Sequence, residues 1–141
     1  MDYHKETILI LDFGSQYTQL IARKVRELGV YCEIYPFNIG LDKINSMDPK
    51  GIILSGGPRS VTEADAPQCT DGIFNLKIPI LGICYGLQLI TKFFGGEIDK
   101  SLKREYGKAH IFLDEDDGLF KGIKNGDIIW MSHQDRVFKI P

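Results

Sequence analysis

The sequence has few of the features that mark membrane, secreted or nucleic-acid-binding proteins. It contains no apolar run that approaches the length needed to cross a bilayer. Residues 1–6 lack the basic stretch and the apolar core of a signal peptide. The formal net charge is -2, so no electrostatic attraction to nucleic acid or to an anionic membrane is expected. We therefore expect a cytoplasmic protein with no nucleic-acid or membrane partner.

Cysteine is also scarce, with Cys32, Cys69 and Cys84 as the three examples. An odd number without metal-type spacing argues against a disulfide framework and against a zinc site. The acidic run Asp114-Glu115-Asp116-Asp117 predicts a solvated turn, because the loops that bind hard cations space their ligands along the chain. We expect no metal site.

What is present is the composition of an ordinary globular domain. The chain has 141 residues, of which 43% are hydrophobic and 26% are charged, enough for one domain with a real core. Short apolar runs that predict strands alternate with helical patterns over the first 95 residues. Strands are predicted at 7–12, 30–35, 51–54 and directly before Cys84, and helices at 17–28, 41–47, 70–76 and 85–94. Ser15 is placed to cap the first helix, and Gly29 to end it.

This alternation predicts an α/β fold, namely an open, mostly parallel sheet with helices on both faces. The rhythm changes after residue 96. Strand-like runs at 97–100, 109–113, 128–131 and 137–140 follow with no helix long enough to connect them in parallel. We expect an antiparallel extension there, within a single domain spanning 1–141.

The stretch from Ile80 to Gln88 carries the strongest functional signal. An apolar strand ends at Gly82-Ile83-Cys84-Tyr85-Gly86 and a helical pattern begins at once, which is the layout of a nucleophile elbow. The start of a helix favours the thiolate form that attacks a carbonyl carbon. A lone cysteine is more often a buried structural residue. The two flanking glycines and the preceding strand favour Cys84 as a nucleophile instead.

The loop Ser55-Gly56-Gly57-Pro58-Arg59-Ser60 has three interpretations. It is similar to the phosphate loop of ATP pyrophosphatases, but Pro58 has no N–H to offer and Arg59 stands where that motif has Asp. It could instead aim a main-chain N–H at Cys84 as part of an oxyanion hole, with the N–H of Tyr85 as the second donor. A plain turn is the third interpretation. We favour the oxyanion hole, because loop and elbow follow successive strands.

A cysteine nucleophile needs a general acid and base, and histidine suits that role at neutral pH. The sequence offers His4, His110 and His133. His4 lies near the chain start and His110 on a predicted strand, so both are expected to be solvated. His133 follows the cysteine in chain order and is the most plausible of the three.

The motifs around Cys84 and Ser55 together resemble the class I, or triad-type, glutamine amidotransferases, over essentially the whole chain. Three further stretches are similar to the amidotransferase domains of the GMP synthetase family: Asp12-Phe13-Gly14-Ser15-Gln16-Tyr17, Arg104-Glu105-Tyr106-Gly107 and Met131-Ser132-His133-Gln134-Asp135. In that family glutamine is hydrolysed through a cysteine thioester, and the ammonia converts xanthosine monophosphate (XMP) to GMP.

The resemblance implies a role for each matching residue. Cys84 would attack the side-chain amide of glutamine, while Gly57 and Tyr85 would hold the oxyanion. Four residues would bind glutamine: Gln88, Ser132, His133 and Gln134. Position 134 is more often a small residue in this motif, so Gln134 is a departure. No cofactor is expected in this domain, and ATP and Mg are expected only in the ATP-pyrophosphatase (synthetase) domain, the implied partner, through which the protein could dimerise.

The resemblance also places the catalytic histidine and its glutamate in a later His-x-Glu or His-Pro-Glu stretch, and none occurs between His133 and Pro141. We therefore expect an N-terminal fragment that ends before its base and is inactive alone. Two alternatives to the glutaminase remain. One is a noncatalytic module of the same fold that binds glutamine or a partner. The other is a DJ-1/PfpI-like cysteine hydrolase that uses His110 or His133 as base.

Overall fold

A computed structural model describes residues 6–115 and 118–141, with the backbone alone described at 100–105 and 132–134. The chain divides into two compact units. The first contains the described residues up to 98 together with 137–141, and the second contains 99–136.

The first unit is built on a parallel four-stranded sheet in the order β2-β1-β3-β4. Its strands are β1 (Thr7–Asp12), β2 (Tyr31–Pro36), β3 (Gly51–Leu54) and β4 (Ile80–Gly82). Its helices are α1 (Thr18–Glu27), α2 (Leu41–Met47) and α3 (Tyr85–Phe93), with a single 3-10 turn at Ile73–Asn75. The predicted parallel α/β sheet is confirmed.

Both faces of this sheet are covered, and the alternation of side chains along β1 shows why. Ile10 packs in a core cluster with Ala22 of α1 and Cys32 of β2. Leu9 and Leu11 point to the opposite face, into a larger cluster that includes Ile44 of α2 and Leu89 of α3. A strand that is buried on both sides must be apolar throughout, as the run from residue 7 to residue 11 nearly is.

The strand order places a topological switch point between β1 and β3. The chain crosses from β1 to β2 on one side and then returns to add β3 on the other side of β1. Loops that leave adjacent strands at such a point diverge and open a crevice at the carboxyl edge of the sheet. The loops after β1 and β3 therefore border the position where β4 delivers Cys84.

Helix boundaries in the first unit agree with the sequence patterns except at two places. Gly29 has φ 76°, so it ends α1 in the left-handed conformation as predicted. Ser15 was predicted to cap α1, and that prediction is wrong. Its Oγ accepts the N–H of Tyr17 within a turn, and Tyr17 itself precedes the first helical residue.

The helix predicted at 70–76 is also wrong in extent. Only the 3-10 turn at Ile73–Asn75 forms, preceded by Gly72 with φ 87°. A positive φ cannot belong to a right-handed helix, so the glycine limits the segment to a single turn. The short turn still buries Ile73 in the core.

Two long strands, β5 (Glu97–His110) and β6 (Ile128–Lys139), form a separate antiparallel pair. The antiparallel extension is confirmed, but the four short predicted strands are two long ones. Pairing continues past β5, because Ile111 and Asp127 share a backbone hydrogen bond of 2.9 Å. Asp114 and Glu115 lie in the connection between the strands, while Asp116 and Asp117 lie outside the described residues.

Within the described ranges, no helix has both the length and the apolar character that a membrane span requires. Across the same ranges, no group of three or more His, Cys, Asp or Glu side chains is arranged to hold a metal ion.

Candidate active site

Cys84 lies in the turn between β4 and α3, and its backbone conformation is strained. It has φ 51° and ψ -109°, a conformation that L-residues rarely adopt, and it directly precedes the first residue of α3. Its side chain is exposed, whereas Cys32 is buried and Cys69 is partly buried. The elbow inferred from the sequence is thus present in the backbone, with its thiol open to solvent.

The two glycines of the elbow leave no room for side chains. A Cβ on Gly82 would lie 2.6 Å from the backbone nitrogen of Leu87 and 2.7 Å from Cδ1 of Ile90. A Cβ on Gly86 would lie 2.6 Å from Cβ of Leu54. These separations are far below van der Waals contact, so the sharp turn around Cys84 depends on glycine on both sides.

Backbone hydrogen bonds join the elbow to the loop that follows β3. The N–H of Ile83 donates to the carbonyl of Leu54 at 3.0 Å, and the N–H of Gly86 donates to the carbonyl of Ser55 at 3.2 Å. A Cβ on Gly56 would lie 3.4 Å from Cβ of Cys84. The structure therefore brings together the two segments that carry the strongest sequence motifs, with Gly56 in contact with the cysteine.

The two N–H groups predicted for the oxyanion hole are those of Gly57 and Tyr85. Gly57 follows Gly56 and packs on Phe13, whose carbonyl oxygen would be 2.6 Å from a Cβ at position 57. Tyr85 is the first residue of α3, where backbone N–H groups have no partner within the helix. Within residues 6–115 and 118–141, neither N–H donates a hydrogen bond. Both donors are thus available to a bound group.

The loop after β1 forms a third wall of the site that was not predicted from the sequence. Asp12 Oδ1 accepts hydrogen bonds from the N–H of Gly14 at 2.8 Å and the hydroxyl of Thr18 at 3.1 Å. This turn places Ser15 so that its Oγ would be 3.6 Å from a Cβ on Gly56. The signal that could have revealed it is the position of this loop at the carboxyl end of β1, next to β3.

Tyr85 anchors the elbow to the core beneath it. Its ring packs on Phe13, with ring centroids 5.3 Å apart, and its hydroxyl donates to the carbonyl of Pro67. Burial raises the pKa of the Tyr85 phenol to about 12, with the neighbouring Cys69 thiol adding to the shift. Burial likewise raises the pKa of Cys69 to about 12, so that thiol stays protonated at neutral pH.

The predicted glutamine-binding residues fall into two groups. Gln88 is buried, one turn into α3, and its N–H donates to the carbonyl of Cys84 at 3.1 Å. Ser132, His133 and Gln134 belong to β6, and their side chains lie outside the described residues.

Of the two other histidines, only His110 lies among the described residues. His110 lies at the end of β5, in the second unit, with its Nδ1 2.9 Å from the carbonyl oxygen of Gly126. This contact uses one ring nitrogen for an interaction within the hairpin. His4 lies outside the described residues.

Arg59 takes part in a surface ion-pair cluster. Its guanidinium contacts the carboxylates of Glu63 and Asp65, both at 2.6 Å. The hydrogen bond between Arg59 and Glu63 raises the pKa of Arg59 and lowers the pKa of Glu63. Turns, and no helix, follow Pro58. Because a phosphate loop opens a helix whose N–H groups bind the anion, this geometry argues against the ATP-pyrophosphatase interpretation.

Two described cavities flank the elbow without including Cys84. One of about 390 Å³ lies at the carboxyl ends of β1 and β2 and is lined by Asp12, Gly14 and Tyr35, among others. Another, of about 310 Å³, is lined by residues that include Cys69 and Phe74.

Comparison with known proteins identifies the family. The pattern of the "Glutamine amidotransferase class-I" family matches residues 9–141. A protein of Nitratiruptor sp. named GMP synthase [glutamine-hydrolyzing] is 58% identical, over 95% of this chain and 27% of that protein. The protein of the same name from Bacillus subtilis is 51% identical, over 96% of this chain and 26% of that protein. The chain therefore spans about a quarter of the length of these relatives.

Solved structures agree with this assignment. A Thermoplasma acidophilum protein described as a candidate GMP synthase subunit superposes with a TM-score of 0.85 at 31% identity, covering 96% of this chain and 68% of that one. A glutamine amidotransferase from Methylobacillus flagellatus has a TM-score of 0.65 at 18% identity, covering 97% of this chain and 58% of that one, and supports the fold alone. The family match excludes the DJ-1/PfpI-like alternative. The resemblance read from the sequence is confirmed, and this chain belongs to the class-I glutamine amidotransferase family.

Proposed function

We propose that this chain is the glutaminase part of a GMP synthase and that Cys84 is its nucleophile. The observation that carries the proposal is the strained, exposed Cys84 at the start of α3, in contact with Gly56 of the neighbouring loop. Membership of the amidotransferase family supplies the substrate class, the side-chain amide of glutamine. Relatives named GMP synthase, which are 51% to 58% identical to this chain, support the proposal that the ammonia is used to form GMP.

The reaction begins when the Cys84 sulfur forms a bond to the amide carbon of glutamine. The carbonyl electron pair moves to oxygen, and a tetrahedral oxyanion results. When this collapses, the carbon–nitrogen bond breaks and the nitrogen leaves as ammonia after taking up the proton that the Cys84 thiol released, so that a γ-glutamyl thioester remains on Cys84. Water then adds to the thioester carbon, releasing glutamate and restoring the thiol.

The N–H groups of Gly57 and Tyr85 are the proposed donors to the tetrahedral oxyanion. Both belong to segments that the elbow holds next to Cys84, and both lack an acceptor within the part of the chain described. Donors fixed before the reaction need no reorganisation when charge develops, which is why such sites lower the barrier effectively.

Gln88, Ser132, His133 and Gln134 are proposed to position the glutamine substrate. Gln88 supports this assignment by its place one turn after Cys84, where α3 fixes it relative to the nucleophile. The other three residues are assigned by their match to the family motif. Gln134 would form a bulkier wall than the small residue that the motif usually has.

The proposed partner is the synthetase domain of a GMP synthase, which would use ATP and Mg to activate XMP for amination by the ammonia. The length of the relatives, about four times that of this chain, supports this proposal. A dimer through the synthetase part belongs to the same proposal, as does a cytoplasmic location, which the three unpaired cysteines suit. The glutaminase part itself needs no cofactor in this scheme.

The test is covalent labelling with the diazoketone analogue of glutamine, 6-diazo-5-oxo-norleucine, followed by peptide mass spectrometry. We expect one adduct, at Cys84, and no adduct in Cys84→Ala. Glutamate release is then measured with this chain fused to the remaining C-terminal part of a GMP synthase relative, with ATP, Mg and XMP present. Labelling at Cys84 without glutamate release under these conditions would favour the noncatalytic binding module, whereas no labelling would overturn the proposal.

A further inference from the structure

Ser55 is a buried polar residue at the centre of the site whose hydroxyl the proposed reaction does not use. Its side chain is fully buried, with 0% of its surface exposed. A hydroxyl in such a place must find partners for both its proton and its lone pairs, or the fold loses stability. The Ser55 hydroxyl finds both.

Its two hydrogen bonds connect two loops of the site. Ser55 Oγ accepts the N–H of Phe13 at 2.9 Å, and it donates to the carbonyl oxygen of Gly56 at 2.9 Å. The first bond holds the loop after β1. The second acts on the peptide unit that joins Gly56 to Gly57.

The geometry of the peptide group turns that second bond into a constraint on Gly57. In a trans peptide the C=O of one residue and the N–H of the next point in opposite directions across a rigid plane. The described residues include no cis peptide bond. Fixing the carbonyl of Gly56 therefore fixes the direction of the Gly57 N–H, on the side away from Ser55 Oγ.

Two glycines in succession make this constraint necessary. A Gly-Gly peptide can rotate more freely than any other because neither residue has a Cβ to restrict φ and ψ. Glycine is required at position 57, since a Cβ there would lie 2.6 Å from the Phe13 carbonyl oxygen, whereas a Cβ on Gly56 would make only an ordinary contact with Cys84. The orientation of this peptide must therefore be fixed by a neighbouring side chain. The hydroxyl of Ser55 is hydrogen-bonded to it and can do so.

We propose that Ser55 is a positioning residue that holds the Gly56–Gly57 peptide plane so that the Gly57 N–H is aimed at the oxyanion formed on Cys84. The inference rests on the proposed function, because it presumes that Gly57 is an oxyanion donor. Ser55 does not touch the substrate in this scheme. Its effect passes through Gly57 alone.

The test separates oxyanion stabilisation from thiol reactivity. Glutamate γ-semialdehyde has an aldehyde in place of the side-chain amide, so the Cys84 sulfur adds to its carbon and the oxygen becomes the thiohemiacetal oxyanion, with no leaving group. Iodoacetamide alkylates the same sulfur by displacing iodide and forms no oxyanion. Affinity for the aldehyde is measured as protection of Cys84 from iodoacetamide, with the alkylation rate as the internal reference.

The variants are Ser55→Ala and, as a matched control, Thr91→Val. Thr91 also has a buried hydroxyl, but it donates within α3 to the carbonyl of Leu87 at 2.8 Å and has no part in the proposed site. We expect Ser55→Ala to bind the aldehyde about 10- to 100-fold more weakly, the usual loss for a hydrogen bond to a charged group. Its alkylation rate should equal that of the wild type, and Thr91→Val should change neither quantity.

Equal aldehyde affinity in Ser55→Ala and the wild type would overturn the inference, as would an equal loss in Thr91→Val. If Ser55→Ala does not fold, Ser55→Thr replaces it, because threonine keeps the hydroxyl. Wild-type affinity in that variant supports the inference, and a loss like that expected for alanine overturns it. Failure of the wild-type chain to bind the aldehyde at all would instead count against the proposed function.

Discussion

The N–H of Gly86 donates a hydrogen bond of 3.2 Å to the carbonyl oxygen of Ser55, which ties the start of α3 to the loop after β3. The bond requires a close approach of two backbones. A side chain at position 86 would collide with Leu54, the residue before Ser55. Gly86 is therefore needed for the packing of α3 against the loop after β3, as well as for the turn at Cys84.

Replacing Gly86 with alanine should destabilise the fold. The added methyl would force α3 away from β3, at a cost of about 1–3 kcal/mol, the usual range for overpacking. The measurement is the free energy of unfolding in urea. Gly40→Ala is the matched control, because Gly40 has φ -69° and nothing lies within 4 Å of an added Cβ. Equal stability of the two variants would contradict the close approach.

Cys84 should be the only cysteine of the folded chain that reacts with iodoacetamide at pH 8. Cys69 has its pKa raised to about 12 by burial, so almost none of it is thiolate at that pH. Cys32 is buried and its Sγ donates to the carbonyl of Ala22 at 3.4 Å. Peptide mapping of the alkylated protein provides the measurement, with urea-unfolded chain as the control in which all three react. Early modification of Cys32 or Cys69 in the folded chain would show that the elbow assignment is wrong.

Stability should fall as the pH rises above about 9, the ordinary pKa of a cysteine thiol. In the folded chain Cys69 and Tyr85 keep their protons up to a pKa of about 12, whereas the unfolded chain releases them near 9 and 10. The unfolded state then binds fewer protons, and the free energy of unfolding decreases with pH over this window. Below pH 9 neither group contributes a slope.

The check is urea unfolding between pH 8 and 11, in a reducing buffer, with the double variant Cys69→Ala and Tyr85→Phe as comparison. The decline should be shallower in the double variant. An identical slope in both proteins would mean that other groups cause the loss.

Gly57→Ala should weaken the binding of glutamate γ-semialdehyde far more than it slows the reaction of Cys84 with iodoacetamide. The alanine Cβ would meet the carbonyl oxygen of Phe13, so the loop has to move and the Gly57 N–H no longer points at the proposed oxyanion position. Loss of one oxyanion donor typically costs about 3 kcal/mol, or about 10²- to 10³-fold. Protection of Cys84 from iodoacetamide by the aldehyde gives the affinity, and a parallel change in affinity and alkylation rate would point to a general distortion of the elbow.

The 141-residue chain by itself should release glutamate at a rate several powers of ten below that of an intact amidotransferase. No His-x-Glu or His-Pro-Glu stretch follows Cys84 in this sequence, and loss of a triad member usually has an effect of that size. Without an acid to protonate the nitrogen, the tetrahedral adduct returns to glutamine. Glutamate release is compared between this chain, its His133→Ala variant and a full-length relative. Robust activity in the short chain that disappears in His133→Ala would make His133 the base.

The sequence predicted the parallel part of the fold closely, because buried strands and amphipathic helices leave strong periodic signals. The strands at residues 7–12 and 51–54 and the helix at 41–47 have their predicted limits. The prediction was wrong where a serine or a glycine forms a local turn instead of the predicted helical structure. Ser15 accepts a hydrogen bond two residues on instead of capping α1, and Gly72 restricts the segment after Thr70 to one turn.

In the candidate site, too, features that depend on local sequence were predicted and features that depend on long-range contacts were not. Cys84 and its two glycines could be read from a local motif, since strand, turn and helix are consecutive in the chain. Contacts between distant segments could not. Ser15 beside Gly56, and the Ser55 hydroxyl bonded to Phe13, depend on strand order, which places the loops after β1 and β3 next to each other.

The backbone at Cys84 carries a further consequence for how this protein can change. A non-glycine residue with φ 51° and ψ -109° costs on the order of 1–3 kcal/mol, a cost that glycine would avoid. Stability alone would therefore favour glycine at this position. The strain is consistent with the role proposed for the Cys84 thiol, and a chain that no longer needed that role would gain stability by replacing Cys84 with glycine.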